Sequence, residues 1–456
     1  MSMPQDATIV LDIGKTNVKL VLVDAVGAVL AERRSPNEIL DDGLYPHHDT
    51  ERIWDWMLTA MKEFAGMAQV GAIVPVTHGA TAALVDDDGL VLPVLDYEYE
   101  LPASQQAHYA VQRPPYSATY SPQLPAGLNL GRQLAWQAQA FPKQFRRARH
   151  ILMYPQYWAW RLSGIAAGEV TSLGCHTDLW QPSRQQYSSL VERMGWSRLF
   201  PALRPAWAPL NVLNPELAQL TGLPADCRVL CGIHDSNASL LRHLGAGADA
   251  ASPAVLSTGT WVIAAAPGMP LDGLREQADM LANSNALGQA VACMRFMGGR
   301  EFAELAGADA QPCGIEDLQT LIEQKTMALP CFSNAGGPFA GRAGAVVGPA
   351  PGGGLQRYAL ATLYCVLMSD YCLSALGVSS AVVVEGSFTG NPWFAPLLAA
   401  LRPQQQIGST DDASGTTCGA WMLHHWGRAP AARGKTAEPL QLAGLAEYRQ
   451  RWLDAL

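Results

Sequence analysis

Long apolar runs are missing from this sequence. None of its 456 residues falls in an uninterrupted apolar stretch of about 18, the length a membrane-crossing helix needs. The N-terminal segment MSMPQDATIVLDIG has neither the basic start nor the apolar core of a secretory signal. A cytoplasmic chain with no membrane partner is the expectation. Positive charge is also scarce, with 31 Lys and Arg against 40 Asp and Glu and a net charge of −9. Nucleic-acid binders need a basic footprint, so no nucleic-acid partner is expected. A small phosphate ligand is not excluded, because backbone N–H groups can hold one locally.

Cysteine is present but unpatterned. The nine residues form an odd, scattered set without a CxxC pair, which excludes a zinc ribbon or a disulfide framework and points to buried, reduced thiols. Charged residues make up only 16% of the chain against 49% apolar ones, so disorder is excluded. At roughly 100–200 residues per domain, two or three domains with sizeable cores are expected.

The pattern opens on strands. Ala7 to Asp12, Val18 to Val23 and Val29 to Arg33 are β-branched runs separated by turn residues, which predicts an antiparallel meander. Asp49 to Gly66 carries Ile53, Trp54, Met57, Met61 and Phe64 at helical spacing, with Asp49 or Thr50 as N-cap. Gly71 to Val76 reads as a strand and Ala82 to Val94 as a hairpin turning at Asp86 to Gly89. Leu101 to Leu128 reads as loop and Leu130 to Arg161 as helix-rich. Further on, Arg228 to Ile233 is a strand stopping at His234 and Asp235, with a helix over Asn237 to Leu244. Ala254 to Leu256 is a strand running into Ser257 to Thr260 and continued by Trp261 to Ala266. Tyr358 to Leu376 is a long apolar helix, and Ala381 to Val384 a strand feeding Glu385 to Ser387. The Gly/Ala/Asp stretch Gly245 to Ser252 suits a hinge between two halves.

Four loops after strands could carry chemistry. Asp12 to Lys19 ends a strand on an acid and continues into small or polar residues: Gly14 admits an anion to the backbone, Thr16 and Asn17 offer donors, and Asp12 could hold Mg²⁺ through water. Ser257 to Thr260 is a second hydroxyl-rich turn, one in each half, as a nucleotide's phosphates would need. Asp235 sits where a strand emerges at a helix start and is either an N-cap or a general base toward a hydroxyl attacking a phosphate. Glu385 to Asn391 carries Gly386 and Gly390 and reads equally as a nucleotide contact or a simple turn.

These four elements, in this order, resemble the FGGY family of carbohydrate kinases over roughly residues 7 to 425. The resemblance implies an α/β fold of two ribonuclease H-like (actin-like ATPase) domains, residues 1–247 and 248–456, each a mixed sheet flanked by helices, with a cleft between. It implies ATP and Mg²⁺ as cofactors. The ATP-binding positions are Gly14, Lys15, Thr16, Asn17, Lys19, Thr258, Gly259, Thr260, Gly386, Ser387 and Asn391; Asp12 holds the metal through water, and Asp235 is the catalytic base. The sugar would meet His78, Asp96, Glu98, His234 and Asp235.

Gly232 to Ser239 and Leu256 to Trp261 are similar to the rhamnulokinase and L-fuculokinase members, which implies a small ketose acceptor of the L-rhamnulose or L-fuculose type. Xylulose, ribulose or a tetrulose also fit. A non-catalytic ATP- and sugar-binding sensor is the reading of another class. A homodimer is common among similar proteins. The chain departs from the family at Asn17, where Ser or Thr is usual, at Gln156 in place of an aspartate, and at Phe388 in place of a glycine. No arginine follows Glu98.

Overall fold

The β-branched opening does form a meander. In the computed structural model, which describes residues 6–244, 252–333, 336–410, 415–428 and 434–456, strand Ala7–Ile13 pairs antiparallel with Asn17–Val23, which pairs antiparallel with Val29–Pro36. Packing divides the chain into two compact units. One comprises Met1–Ala246, Ala282–Ala290 and Ser414–Ala431; the other comprises Gly247–Leu281, Val291–Ala413 and Ala432–Leu456. The hinge expected near Gly245 to Ser252 falls on residues 245–251, outside the described residues.

In the first unit, strand Val70–Thr77 adds parallel to Ala7–Ile13, and Arg228–Leu230 and Ile233–His234 both add parallel to Val70–Thr77. Alternation along the strands sends side chains to both faces. Ile9, Leu11, Ile13 and Leu20 pack under Ile53, Met57 and Phe64 of helix Thr50–Ala65 and Trp158 of helix Tyr154–Ser163. Val10, Val21, Val74 and Val76 pack on the other side against Ala238 and Leu241 of helix Asp235–Leu241 and Ala420 and Leu423 of helix Gly415–His424. Asp49 caps Thr50–Ala65 by accepting from Arg52 N–H, as its position predicts.

Some expectations are corrected. Leu101 to Leu128 is not all loop: it holds helices Ala103–Ala110 and Tyr116–Thr119, whose starts follow prolines with fixed φ. The helix-rich stretch is interrupted by strand His150–Met153, because its apolar run pairs antiparallel with Ala82–Asp86. The strand before Asp235 breaks after Leu230 and resumes at Ile233.

The other sheet is mixed and seven-stranded, in the order Met280–Ser284, Ala290–Phe296, Val262–Pro267, Ala254–Thr258, Val382–Gly386, Ile407–Thr410, Gly434–Thr436. Trp261 to Ala266 does not continue the preceding strand. Val262–Pro267 returns antiparallel with Thr258 opposite Val262, so Gly259 to Trp261 is a hairpin turn. Helix Gly354–Ala375 is long and apolar enough to cross a membrane, but 78% of its apolar window is buried inside the protein, as suits a core helix.

Candidate active site

Three parallel strand ends bring the first unit's candidates together. Asp12 lies opposite Val76, Ile13 opposite Thr77, and Thr77 opposite His234, while His78 N–H donates to the Ile13 carbonyl at 2.9 Å. Asp12, His78, His234 and Asp235 therefore share one carboxyl edge, the usual location of ligands on open α/β sheets.

Asp235 opens helix Asp235–Leu241 with its side chain 32% exposed. His234 Nε2 lies 3.2 Å from Asp235 Oδ1, and Asn237 Nδ2 lies 3.2 Å from His234 Nδ1. An amide N–H can only donate, so Nδ1 accepts and the imidazole proton is on Nε2, donated to Asp235. Burial lowers the His234 pKa, with Asp235 opposing, so the ring is a neutral donor. Ser236 N–H and Oγ also reach Asp235 Oδ1. Oδ2 has no hydrogen bond to the protein among the described residues and is free to take a proton.

Behind this pair lies a relay of buried groups. Glu169, fully buried, caps helix Val170–Leu173 and accepts from Thr171 Oγ1, and Thr171 Oγ1 in turn accepts from His234 N–H at 3.0 Å. Burial raises the Glu169 carboxyl to about 7. Gln156 donates to the carbonyls of Cys231 and Gly232 at 3.0 and 3.2 Å and so holds the strand break before Asp235.

Asp12 is 8% exposed, and its nearest cation is Lys19, directly opposite on the neighbouring strand, with Nζ 3.8 Å from Oδ2. Burial lifts its carboxyl to about 6; the charge of Asp235 adds to the rise and Lys19 opposes it. A buried acid short of positive charge suits a divalent cation. Among the described residues no cluster of three ligating side chains exists, so a Mg²⁺ at Asp12 would draw its remaining ligands from water and phosphate oxygens. The loop that follows is stapled by Asn37, whose amide donates to the Gly14 carbonyl and whose N–H donates to the Thr16 carbonyl, leaving the Thr16 and Asn17 side chains exposed.

Lys15 turns elsewhere. Its Nζ is bound to Asp96, lies 3.2 Å from Glu98 Oε2 and sits 5.0 Å from the Tyr97 ring centroid. Beside it His48, His78 and Tyr154 form a ring cluster with centroids 5.1 to 5.5 Å apart. Both ring nitrogens of His48, Nε2 of His78 and the Tyr154 hydroxyl are buried there without a hydrogen-bond partner among the described residues. Such groups are costly unless a ligand or water satisfies them. Burial drives both imidazoles below their ordinary pKa.

In the second unit, Thr258 and Gly386 are adjacent in register on parallel strands. Thr258 Oγ1 donates to the Glu385 carbonyl and accepts from Phe388 N–H, and the Ser387 hydroxyl reaches the Thr258 carbonyl at 3.4 Å. Gly386 has φ +88°, and a Cβ there would lie 2.0 Å from the Thr258 carbonyl oxygen. A cavity of 710 Å³ opens among Gly259, Thr260, Gly299, Ser387, Phe388 and Asn391. Gly299, in the first turn of helix Gly298–Ala306, packs so that a Cβ would lie 2.3 Å from the Gly259 carbonyl oxygen. Backbone brought this close to a helix N-terminus suits phosphate. Asn391 lines the cavity, but its amide donates to Thr362 Oγ1 and accepts from Trp393 N–H. The Phe388 ring packs between Phe302 and Phe394, with centroids at 5.5 and 5.0 Å.

The sequence reading missed His48, Tyr97, Tyr154, Glu169, Thr171, Asn237 and Gly299. The Gly298-Gly299 pair opening a helix was a legible signal. The others are ordinary residues until folding sets them beside Asp235 or the cavity.

The family described as "FGGY family of carbohydrate kinases, N-terminal domain" matches residues 7–242, and "Carbohydrate kinase FGGY, C-terminal domain" matches residues 250–432. An L-fuculokinase of Salmonella typhi is 30% identical over 279 residues, 57% of this chain and 56% of that protein. An L-fuculokinase of Escherichia coli strain K12 is 28% identical with the same coverage. The chain thus spans little more than half the length of these curated relatives. A carbohydrate kinase from Novosphingobium aromaticivorans superposes with a TM-score of 0.92 at 37% identity, covering 98% of this chain and 99% of that one. A xylulose kinase from Lactobacillus acidophilus, at 15% identity and a TM-score of 0.80 over 99% and 97% of the two chains, shares the fold alone. The fold is that of the actin-like ATPases, with mixed sheets flanked by helices.

Proposed function

Because this chain belongs to the FGGY family of carbohydrate kinases, we propose that it is an ATP-dependent kinase of a small ketose, with an L-rhamnulose- or L-fuculose-type sugar as acceptor. The observation that carries this reading is the free Oδ2 of Asp235, on a carboxylate whose other oxygen is fixed by neutral His234. Residues 1–247 would bind the sugar, and residues 248–456 the nucleotide, the latter through Thr258, Gly259, Thr260, Gly386 and Ser387, with the Asn391 amide supporting the wall.

Asp235 would take the proton of a primary hydroxyl, most simply O1 of the ketose. As that O–H bond breaks, the oxygen attacks the γ-phosphorus and ADP leaves with the electron pair of the broken P–O bond. Thr16, Asn17 and Lys19 would orient phosphate oxygens. Mg²⁺, held through water by Asp12, would supply charge neutralisation on the phosphates. His78, Asp96, Glu98 and His234 would contact the sugar. We assign Lys15 to this acceptor pocket as well, since Asp96 and Glu98 hold its ammonium. The reaction suits a cytoplasmic enzyme, where ATP is available.

The test is an ADP-release screen across ketoses and polyols with the wild type and Asp235→Asn. One ketose should support turnover, and the variant should lose about 10²–10⁴-fold in kcat while still binding nucleotide. Wild-type turnover by Asp235→Asn would overturn the base assignment. Nucleotide and sugar binding without ADP release would favour a sensor.

A further inference from the structure

A second cavity in the first unit belongs to none of the groups above. It measures 430 Å³ and is lined by Glu100, Gln106, Gln123, Leu124, Pro125 and Arg132 among others. Arg132 stands in the first turn of helix Leu130–Ala140 and is only 6% exposed. Its guanidinium has five N–H donors. Nη2 donates to the Leu124 carbonyl at 2.9 Å, and Nε is buried without an acceptor among the described residues. No carboxylate forms an ion pair with it among the described residues; Asp178, nearby in the same unit, is engaged by Arg113 and the Tyr109 hydroxyl.

A buried cation with a single neutral acceptor is unfavourable unless a counter-charge joins it. Burial lowers its pKa, with Tyr109 and the charges of Glu100 and Asp178 opposing. The acid lining the same cavity, Glu100, is exposed and forms no ion pair with Arg132 among the described residues; its charge reaches the guanidinium weakened by water but not abolished. Arg132 brings a buried cation to the cavity lining, and Glu100, Gln106 and Gln123 bring an exposed acid and two exposed amides.

We propose that this cavity is a second ligand site for a small hydroxylated anion. Its carboxylate or phosphate group sits on Arg132, and its hydroxyls meet Glu100 and the amide of Gln106. The site stands on Arg132 and does not depend on the kinase reading.

Calorimetric titration of the full chain with glycerol 3-phosphate, glycerate and glycerol tests it, with a non-hydrolysable ATP analogue in excess to fill any nucleotide site. At least one of the two anions should bind while glycerol does not, and the tighter anion identifies whether phosphate or carboxylate is preferred. Arg132→Met should weaken that binding tenfold or more. Glu100→Gln, a change at an exposed position, should tighten it two- to fivefold by removing a like charge. Anions that bind no better than glycerol overturn the proposal. So does unchanged affinity in Glu100→Gln, which decides the matter if Arg132→Met fails to fold.

Discussion

Lys15 and Asp96 form an ion pair that is largely shielded from solvent, with side chains 18% and 10% exposed, although they are 81 positions apart in the chain. Glu98 and the Tyr97 ring complete the setting of the ammonium. A lysine placed by sequence in a phosphate loop is thereby drawn to the acids expected on the sugar.

Removing that charge separates the two roles. Lys15→Met should raise KM for the sugar by roughly 10- to 100-fold, the scale of a charged hydrogen bond, with KM for ATP little changed. Steady-state kinetics varying each substrate in turn checks this. A rise confined to the ATP KM would return Lys15 to the phosphates.

Asn237 fixes the proton position on His234 and acts as a positioning residue. Asn237→Asp can only accept, which moves the imidazole proton to Nδ1 and withdraws the Nε2–H donated to Asp235. We expect kcat to fall about tenfold or more with nearly unchanged ATP KM. The ¹⁵N shifts of the His234 ring should report the tautomer change, which a purely structural loss would not produce.

Asp12 makes stability depend on pH in an unusual direction for an acid. Its carboxyl pKa rises from 3.8 to about 6 on folding, through burial first and Asp235 second. Between these values the folded chain binds more protons at this site than the unfolded one, so the contribution of Asp12 to stability falls as pH rises and is lowest above pH 6, by about 3 kcal/mol. Asp12→Asn should therefore melt above wild type at pH 8, with the gap closing toward pH 4, while losing kinase turnover. Thermal melts of both proteins across that range, without nucleotide or Mg²⁺, measure it.

Gly299 tests the nucleotide cavity. A methyl group there would lie 2.3 Å from the Gly259 carbonyl oxygen, too close for the hairpin turn to keep its place. Gly299→Ala should raise KM for ATP by tenfold or more, leave the sugar KM near wild type, and destabilise the fold by about 1–3 kcal/mol as overpacking does. A nucleotide-binding titration paired with a denaturant melt distinguishes the two effects.

Much of the site was legible because its markers are local. Asp12, Asp235 and the Ser257 to Thr260 segment each end or follow a short β-branched run, and the strands did form there, with Ser257 and Thr258 inside the strand. The errors also have local causes. Trp261 to Ala266 reads as a continued strand because its apolar residues say nothing of direction, and only the pairing of Thr258 with Val262 reveals the reversal. Helices at Ala103–Ala110 and Tyr116–Thr119 were hidden by their flanking prolines.

The amino-acid sequence by itself determined the chemistry available: which acids, hydroxyls and glycines stand at strand ends, and that these runs become strands and helices. Periodicity and turn residues act over a few positions, so the chain encodes them directly. Tertiary structure alone decided which of these groups meet. It set Asp12, His78 and Asp235 on one edge, gave Lys15 to Asp96, and packed helix Gly415–His424 beside Ala238, far earlier in the chain. Those contacts depend on strand register and on close packing between distant segments, neither of which any short stretch of sequence contains.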